Sequence, residues 1–341
     1  MFKIFIPEPV SDISLLPFLD EHSQAGRNRL FQSLPPREYA GIFERVSYAN
    51  EADIVVVPHD YAYLHKHPAY LLQCQEHAYM MRKPLIIFAY QDDPRPITVS
   101  GAIIVRPSAY RSELGVHEIL MPAYVEDIGA QYGKEPLSKG NKPIVAFTGK
   151  AGFHDRKEWL KYIVRNYIMR QGPHKQGIYF RRHALASLAN DQRIECNTII
   201  RKRYSAHRNT IEIPPAQARE EYIRSIQNAH FTLAPRGDGN YSLRFYETLS
   251  LGRIPVLIDT DTPLPLQDKI DYDACIVRVP WQEVDHVGDY IVRFFECHNE
   301  AQLREAQQRA REIFESFLYM PKFLNYLFAK IVSKNVILTN L

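Results

Sequence analysis

Residues 231–259, FTLAPRGDGNYSLRFYETLSLGRIPVLID, place Arg236, Gly237, Asp238, Gly239 and Asn240 between an apolar run and an amphipathic one. Gly237 and Gly239 let the backbone take unusual dihedrals and come close to a ligand. Tyr241 and Ser242 complete the loop. A helix follows that Asn240 or Ser242 caps and Gly252 closes. The first N–H groups of such a helix lack internal partners and carry partial positive charge, which suits phosphate. Arg236 and Arg244 add forked, charge-assisted donors for phosphate oxygens. Glu247, three residues past Arg244, shares its helix face and could accept hydrogen bonds from ribose hydroxyls. The plain alternative is a strand–loop–helix turn with a surface Arg244–Glu247 pair contributing about 0.3–0.5 kcal/mol.

The elements that must position these residues come from short apolar runs. Runs at 3–7, 52–58, 84–90 and 101–107 are bounded by Pro, Asp or Gly, and most are rich in β-branched residues, so they predict buried strands. Residues 67–83 fit a helix, which makes strand–helix–strand and a parallel sheet. Residues 133–143, GKEPLSKGNKP, have no apolar period and read as a linker. A second set follows: strands at 144–149, 197–202, 230–235, 254–259 and 274–280, and helices at 156–172 and 214–229. A helical tail at 300–334 is interrupted near Pro321. Two successive α/β sheets predict Rossmann-like halves facing a cleft, with ligands outside the carboxyl ends of the strands.

Composition excludes several classes. The chain has 341 residues, 45% hydrophobic and 24% charged, with a formal charge of +3. That is ordinary for a globular protein and too little positive charge for a general nucleic-acid binder. The clusters Arg181-Arg182-His183 and Arg201-Lys202-Arg203 read as solvated faces or as a rim attracting an anionic ligand. Cys74, Cys196, Cys275 and Cys297 are scattered without C-x-x-C spacing, so neither a zinc knuckle nor a disulfide framework is expected. The N-terminus is cut by Pro7 and Pro9, and no run approaches membrane-spanning length. These features predict a cytoplasmic protein, with peripheral association at the inner membrane surface left open and oligomeric state unspecified.

Residues 220–280 resemble the exostosin family of glycosyltransferases, of the GT47 type. That family shows a helix, an apolar strand ending in Pro-Arg-Gly, then Ser-x-Arg-x-x-Glu, Gly, an apolar-Pro-Val strand and Leu-Pro. The counterparts here are Pro235-Arg236-Gly237, Ser242 to Glu247 with Arg244, Gly252, Ile254-Pro255-Val256 and Leu264-Pro265. Weaker similarity covers residues 51–60 and 143–159, the latter supplying Arg156 as a phosphate-contact candidate. The chain departs from the pattern at Arg253, where the family usually has Cys, and at His59-Asp60, where it often has an aromatic. No stem or membrane anchor like those of the Golgi members is expected before the domain.

The resemblance implies a GT-B fold and inverting transfer from a nucleotide sugar, UDP-sugar being the expected donor class, to a saccharide or glycolipid acceptor in polysaccharide synthesis. It also implies that the diphosphate is held by Arg236, Arg244 and the 237–242 loop, with Glu247 on the ribose and no cofactor required. The expected domains are 1–140 for the acceptor, 141–310 for the donor, and a helical tail at 311–341 packing back across the domains.

Inverting transfer needs a general base. Glu8, His59, Asp60, Asp92 and Asp93 follow predicted strands of the first half, and Asp60 is preferred because burial at a strand end raises a carboxyl pKa. Asp259-Thr260-Asp261 raises the alternative of a metal-dependent transferase, and His65-Lys66-His67 is a weaker metal candidate. A non-catalytic glycan- or nucleotide-binding subunit is the third reading.

Overall fold

The computed structural model describes residues 1–19, 36–64, 66–202 and 213–333. His65, Arg203 and the tail beyond residue 333 lie outside the described residues. By its internal contacts the chain divides into two units: residues 1–126 with 263–265 and 317–341, and residues 127–262 with 266–316.

Unit 1 is built on a six-stranded parallel sheet. Its strands are β1 (Phe2–Phe5), β2 (Phe43–Val46), β3 (Ile54–Val56), β4 (Leu85–Phe88), β5 (Ala102–Arg106) and β6 (Glu118–Leu120), in the order β2-β1-β3-β4-β5-β6. Two helices follow β3, the single turn α1 (Tyr61–Leu64) and α2 (Pro68–Met80). The buried Cys74 and Ala78 of α2 pack with Val55, Leu85 and Ile87 in one core cluster. Strands β3 to β5 are buried throughout, which explains their apolar sequences; the exception, Arg106 at the end of β5, is buried in an ion pair with Glu118. Edge strand β2, FERV, carries two charged residues and has no apolar run for a sequence reading to find.

Unit 2 begins with α3 (Ile128–Tyr132). It then sets out β7 (Ile144–Lys150), α4 (Arg156–Ile163), α5 (Gly177–Ala189), β8 (Glu195–Arg201), α6 (Pro215–Gln227) and β9 (Phe231–Leu233). The remainder is α7 (Leu243–Ser250), β10 (Ile254–Asp259), β11 (Val277–Pro280), α8 (Val287–Cys297) and α9 (Glu300–Ile313). Its five parallel strands run β11-β10-β9-β7-β8. One sheet face packs Phe147, Leu233 and Val256 with Phe180 and Leu188 of α5, Ile291 and Phe295 of α8 and Leu303 of α9. The sheet order reverses between β7 and β9, so crevices open at the carboxyl ends of those two strands.

The last helix, α10 (Met320–Ser333), belongs to unit 1, where Phe328 meets Phe2 and Phe43 edge-on. The expected interruption near Pro321 is a π turn at 314–318 preceding it. The paired parallel α/β sheets are the content of the expected GT-B architecture.

Residues 133–143 are not a free linker. Leu137 exchanges two hydrogen bonds with the Gln307 side chain, Lys139 bonds Glu300 and the His298 carbonyl, and the Ser138 carbonyl accepts from His230. The polar composition reflects backbone groups satisfied by buried side chains, which a sequence period cannot reveal. No helix among the described residues is long and apolar enough to cross a membrane.

Candidate functional site

The carboxyl end of β7 and the loop after β9 come together at the sheet reversal of unit 2. Arg244, on the first turn of α7, reaches over β7 and donates from Nη2 to the Thr148 carbonyl at 2.7 Å. Its guanidinium lies 4.5 Å from the centre of the Phe147 ring. A Cβ added to Gly149 would stand 2.9 Å from that Nη2, so the glycine keeps the approach open. The Arg244 Nε is buried and makes no hydrogen bond among the described residues.

Arg181, one turn into α5, donates to the Lys150 carbonyl at 3.1 Å and to the Arg236 carbonyl at 3.4 Å. Its position depends on Gly177, where a Cβ would lie 2.2 Å from the Arg236 carbonyl oxygen. The helix can therefore start against the loop only with glycine there. Burial pushes the Arg244 pKa down, and the nearby Arg181 charge adds to that shift, partly opposed by Tyr222 and Glu247. Two like charges are thus held close together at a strand end, an arrangement an anion would stabilise.

The loop at 236–242 is a closed structure. Gly237 N–H bonds the Tyr241 carbonyl at 2.9 Å. Arg236, 3% exposed, turns back on it, donating to the Gly239, Asp238 and Pro173 carbonyls. Asn240 is fully buried, donating to the Thr260 and Asp261 carbonyls and accepting from the Thr260 and Thr262 hydroxyls. These two residues hold the loop in shape. Asp238 is exposed, and Gly237 and Tyr241 are half-buried. Ser242 occupies the N-cap position of α7, but its side chain makes no capping bond; Gly252 takes the left-handed dihedral expected past the helix end.

Glu247 does not pair with Arg244. Its carboxylate accepts from Arg219 at 2.7 Å and from the Tyr222 hydroxyl, both on α6. The pair expected from i,i+3 spacing is displaced because α6 supplies nearer donors across the packing contact. Arg156 sits exposed on the first turn of α4, whose cap is the Asp155 carboxylate accepting from Glu158 N–H at 2.7 Å.

Asp259 accepts from Thr262 N–H at 2.8 Å and from Arg278 at 3.0 Å, and Asp261 has φ +59. The Asp-Thr-Asp segment is thus a turn tied to β11. Among the described residues no group of three His, Cys, Asp or Glu is placed to hold a metal ion.

In unit 1 the reversal lies between β1 and β3. Glu8 follows β1 and is exposed. Asp60 follows β3, accepts from Ala62 N–H at 2.9 Å and Tyr90 N–H at 3.2 Å, and its carboxyl is pushed up by burial against those two bonds. His59 is fully buried, accepting at Nε2 from Val10 N–H and donating from Nδ1 to the Ser14 carbonyl. Asp92 is half-buried and its carbonyl accepts from Ser108; Asp93 is paired with Arg95.

Arg181, Arg219 and Tyr222 were missed as site residues in the sequence. Arg181 lay in a basic cluster read as a face or rim. Only the buried-face spacing of Phe180, Arg181, Ala184, Leu185 and Leu188 signals that this arginine points inward.

Residues 141–293 match the Exostosin GT47 domain. An Exostosin-1 homolog of Caenorhabditis elegans is 25% identical over 118 residues, 35% of this chain and 30% of that protein. Exostosin-1 of Drosophila melanogaster is 36% identical over 90 residues, 26% of this chain and 12% of that one. The matches therefore span less than a third of those relatives. Among solved structures, Anabaena Alr3699/HepE in complex with UDP-glucose is 11% identical with a TM-score of 0.39, covering 84% of this chain and 80% of that one. TarM is 10% identical with a TM-score of 0.41, covering 80% and 54%.

Proposed function

Because residues 141–293 match the Exostosin GT47 domain, we propose that the chain is an inverting glycosyltransferase that takes a nucleoside-diphosphate sugar, of the UDP class, as donor. One observation carries this reading: half-buried Arg244, its Nε buried, beside Arg181, at the sheet reversal where β7 ends and α7 begins. Fixed guanidinium groups there suit a diphosphate that gains charge as it leaves. Arg181 is added to the expected set. Arg236 and Asn240 act by shaping the loop. Glu247, already oriented by Arg219 and Tyr222, keeps acceptor capacity for ribose hydroxyls.

In the reaction an acceptor hydroxyl oxygen forms a bond to the anomeric carbon while the bond from that carbon to the diphosphate oxygen breaks. The hydroxyl proton passes to a base, and the electron pair leaves on the diphosphate. Asp60 is the base proposed, because its raised pKa favours proton acceptance. The acceptor is a saccharide or glycolipid, and the transfer serves polysaccharide synthesis in the cytoplasm. The reading includes metal independence, since the Asp259 carboxylate is committed to Arg278 and Thr262.

Calorimetry with UDP and UDP-sugars, with and without EDTA, tests it. Binding that persists in EDTA and is lost in Arg244→Ala supports it. Binding that needs a divalent cation transfers the proposal to Asp259 and Asp261. Binding without turnover on any saccharide acceptor leaves a non-catalytic subunit, and absence of binding removes the enzyme reading.

A further inference from the structure

Helix α4 continues into a π turn at 164–169, and the two present an inverted surface. The inward side is anchored by Tyr162 and by Asn166, which is fully buried and bonded to the Tyr162 carbonyl and to Gln176. The outward side is apolar. Leu160, Val164 and Ile168 form a stripe at spacing four, flanked by Trp159 and Tyr167, and Ile168 and Met169 are 71% and 72% exposed. A surface helix ordinarily turns such residues to the core.

A second stripe runs beside the first. Lys157, Lys161 and Arg165 also recur at spacing four, all exposed, and none is in an ion pair with a described carboxylate. Of the acidic side chains on α4, Glu158 is taken by Lys150, and Asp155 caps the helix and interacts with Lys157 without forming an ion pair. An apolar stripe with an aromatic pair beside an exposed, predominantly cationic stripe is what an interfacial helix needs.

We propose that this face docks on an anionic lipid surface. Charge complementarity selects that occupant. A second copy meeting the face about a two-fold axis would set the cationic stripe near its own image. A neutral bilayer would take the apolar stripe and leave the charges uncompensated. Anionic headgroups satisfy both, with the lysine and arginine stems extending over the apolar layer. The proposal does not depend on the transfer reaction.

The test is flotation of the full chain with vesicles of phosphatidylcholine alone and with vesicles also containing phosphatidylglycerol. The expected result is binding to the anionic vesicles that falls with added salt and is weak to neutral ones. Emission from Trp159 should move to shorter wavelength on binding, and Trp159→Phe should abolish that change. Neutralising Lys157, Lys161 and Arg165 to Ala should weaken partitioning about fivefold per residue. Ile168→Glu with Leu160→Glu should abolish it, with an unchanged circular-dichroism spectrum and thermal unfolding transition as the check on folding. No flotation, or equal binding to both vesicle types, overturns the proposal. So does a concentration-dependent dimer that Ile168→Glu dissociates, or an acidic protein that binds this face while vesicles do not. If the glutamate variants do not fold, the salt dependence of the unmodified chain decides alone.

Discussion

Arg244 donates to the Thr148 carbonyl and Arg181 to the Lys150 carbonyl, so guanidinium groups from two helices meet alternate residues at the end of one strand. Backbone carbonyls two residues apart on a strand point to the same side of it. The strand therefore aligns two charges that the sequence separates widely; burial lowers the Arg244 pKa, and the Arg181 charge adds to that shift.

This relationship separates two arginines by role. Arg181→Ala should weaken UDP binding by about tenfold or more, as loss of a charge-assisted bond in a desolvated site does. Arg156→Ala, at an exposed first turn, should change it by less than about twofold. Titration calorimetry on the two variants reads the contrast directly, and equal losses would restore Arg156 to the site.

Glu247 is expected to recognise ribose while held by Arg219 and Tyr222. The intact protein should then bind UDP more tightly than 2′-deoxy-UDP. Glu247→Ala should erase most of the difference, and Tyr222→Phe should reduce it by loosening the carboxylate. Equal affinity of the intact protein for both nucleotides would make Glu247 a tie between α6 and α7 only.

Arg253 occupies the position where the resembled family usually carries cysteine. Its guanidinium donates to the carbonyls of Gln227, Glu135, Leu251 and Gly252, and burial pushes its pKa down to about 10. Replacing it leaves several buried carbonyls without donors. Arg253→Cys should therefore destabilise unit 2 by about 3 kcal/mol or more. Urea unfolding measures this, and a loss under about 1 kcal/mol would show that water replaces the guanidinium.

Two buried histidines fix the direction of a pH effect. In His59 and His230 burial pushes the pKa down, and each ring accepts a backbone N–H at one nitrogen and donates to a carbonyl from the other. Their unfolded value is about 6.5. Above it both states are neutral and the stability is fully present. As pH falls below it, the unfolded chain takes protons the native rings refuse, so stability declines. Thermal unfolding midpoints should drop steadily from neutral toward acidic pH, and His230→Asn should flatten part of that slope.

Much of the framework was legible in the chain itself. The runs IVV, LIIF and AIIV are apolar without interruption because parallel strands are buried on both faces, and glycine punctuation marked α7 and its end. The charged edge strand FERV and α5 escaped notice, the first because an edge needs no apolar run, the second because its buried face contains an arginine. The site divides in the same way. Local spacing identified the loop and placed Arg244 and Glu247 on its helix, since those relations repeat within a few residues. It could not tell that Arg236 folds back on its own loop, that Glu247 turns to α6, or that Arg181 reaches β7. Those outcomes depend on which side chain lies nearest once distant elements pack, and hydrogen-bond and Coulomb energies fall off over distances that sequence separation does not measure.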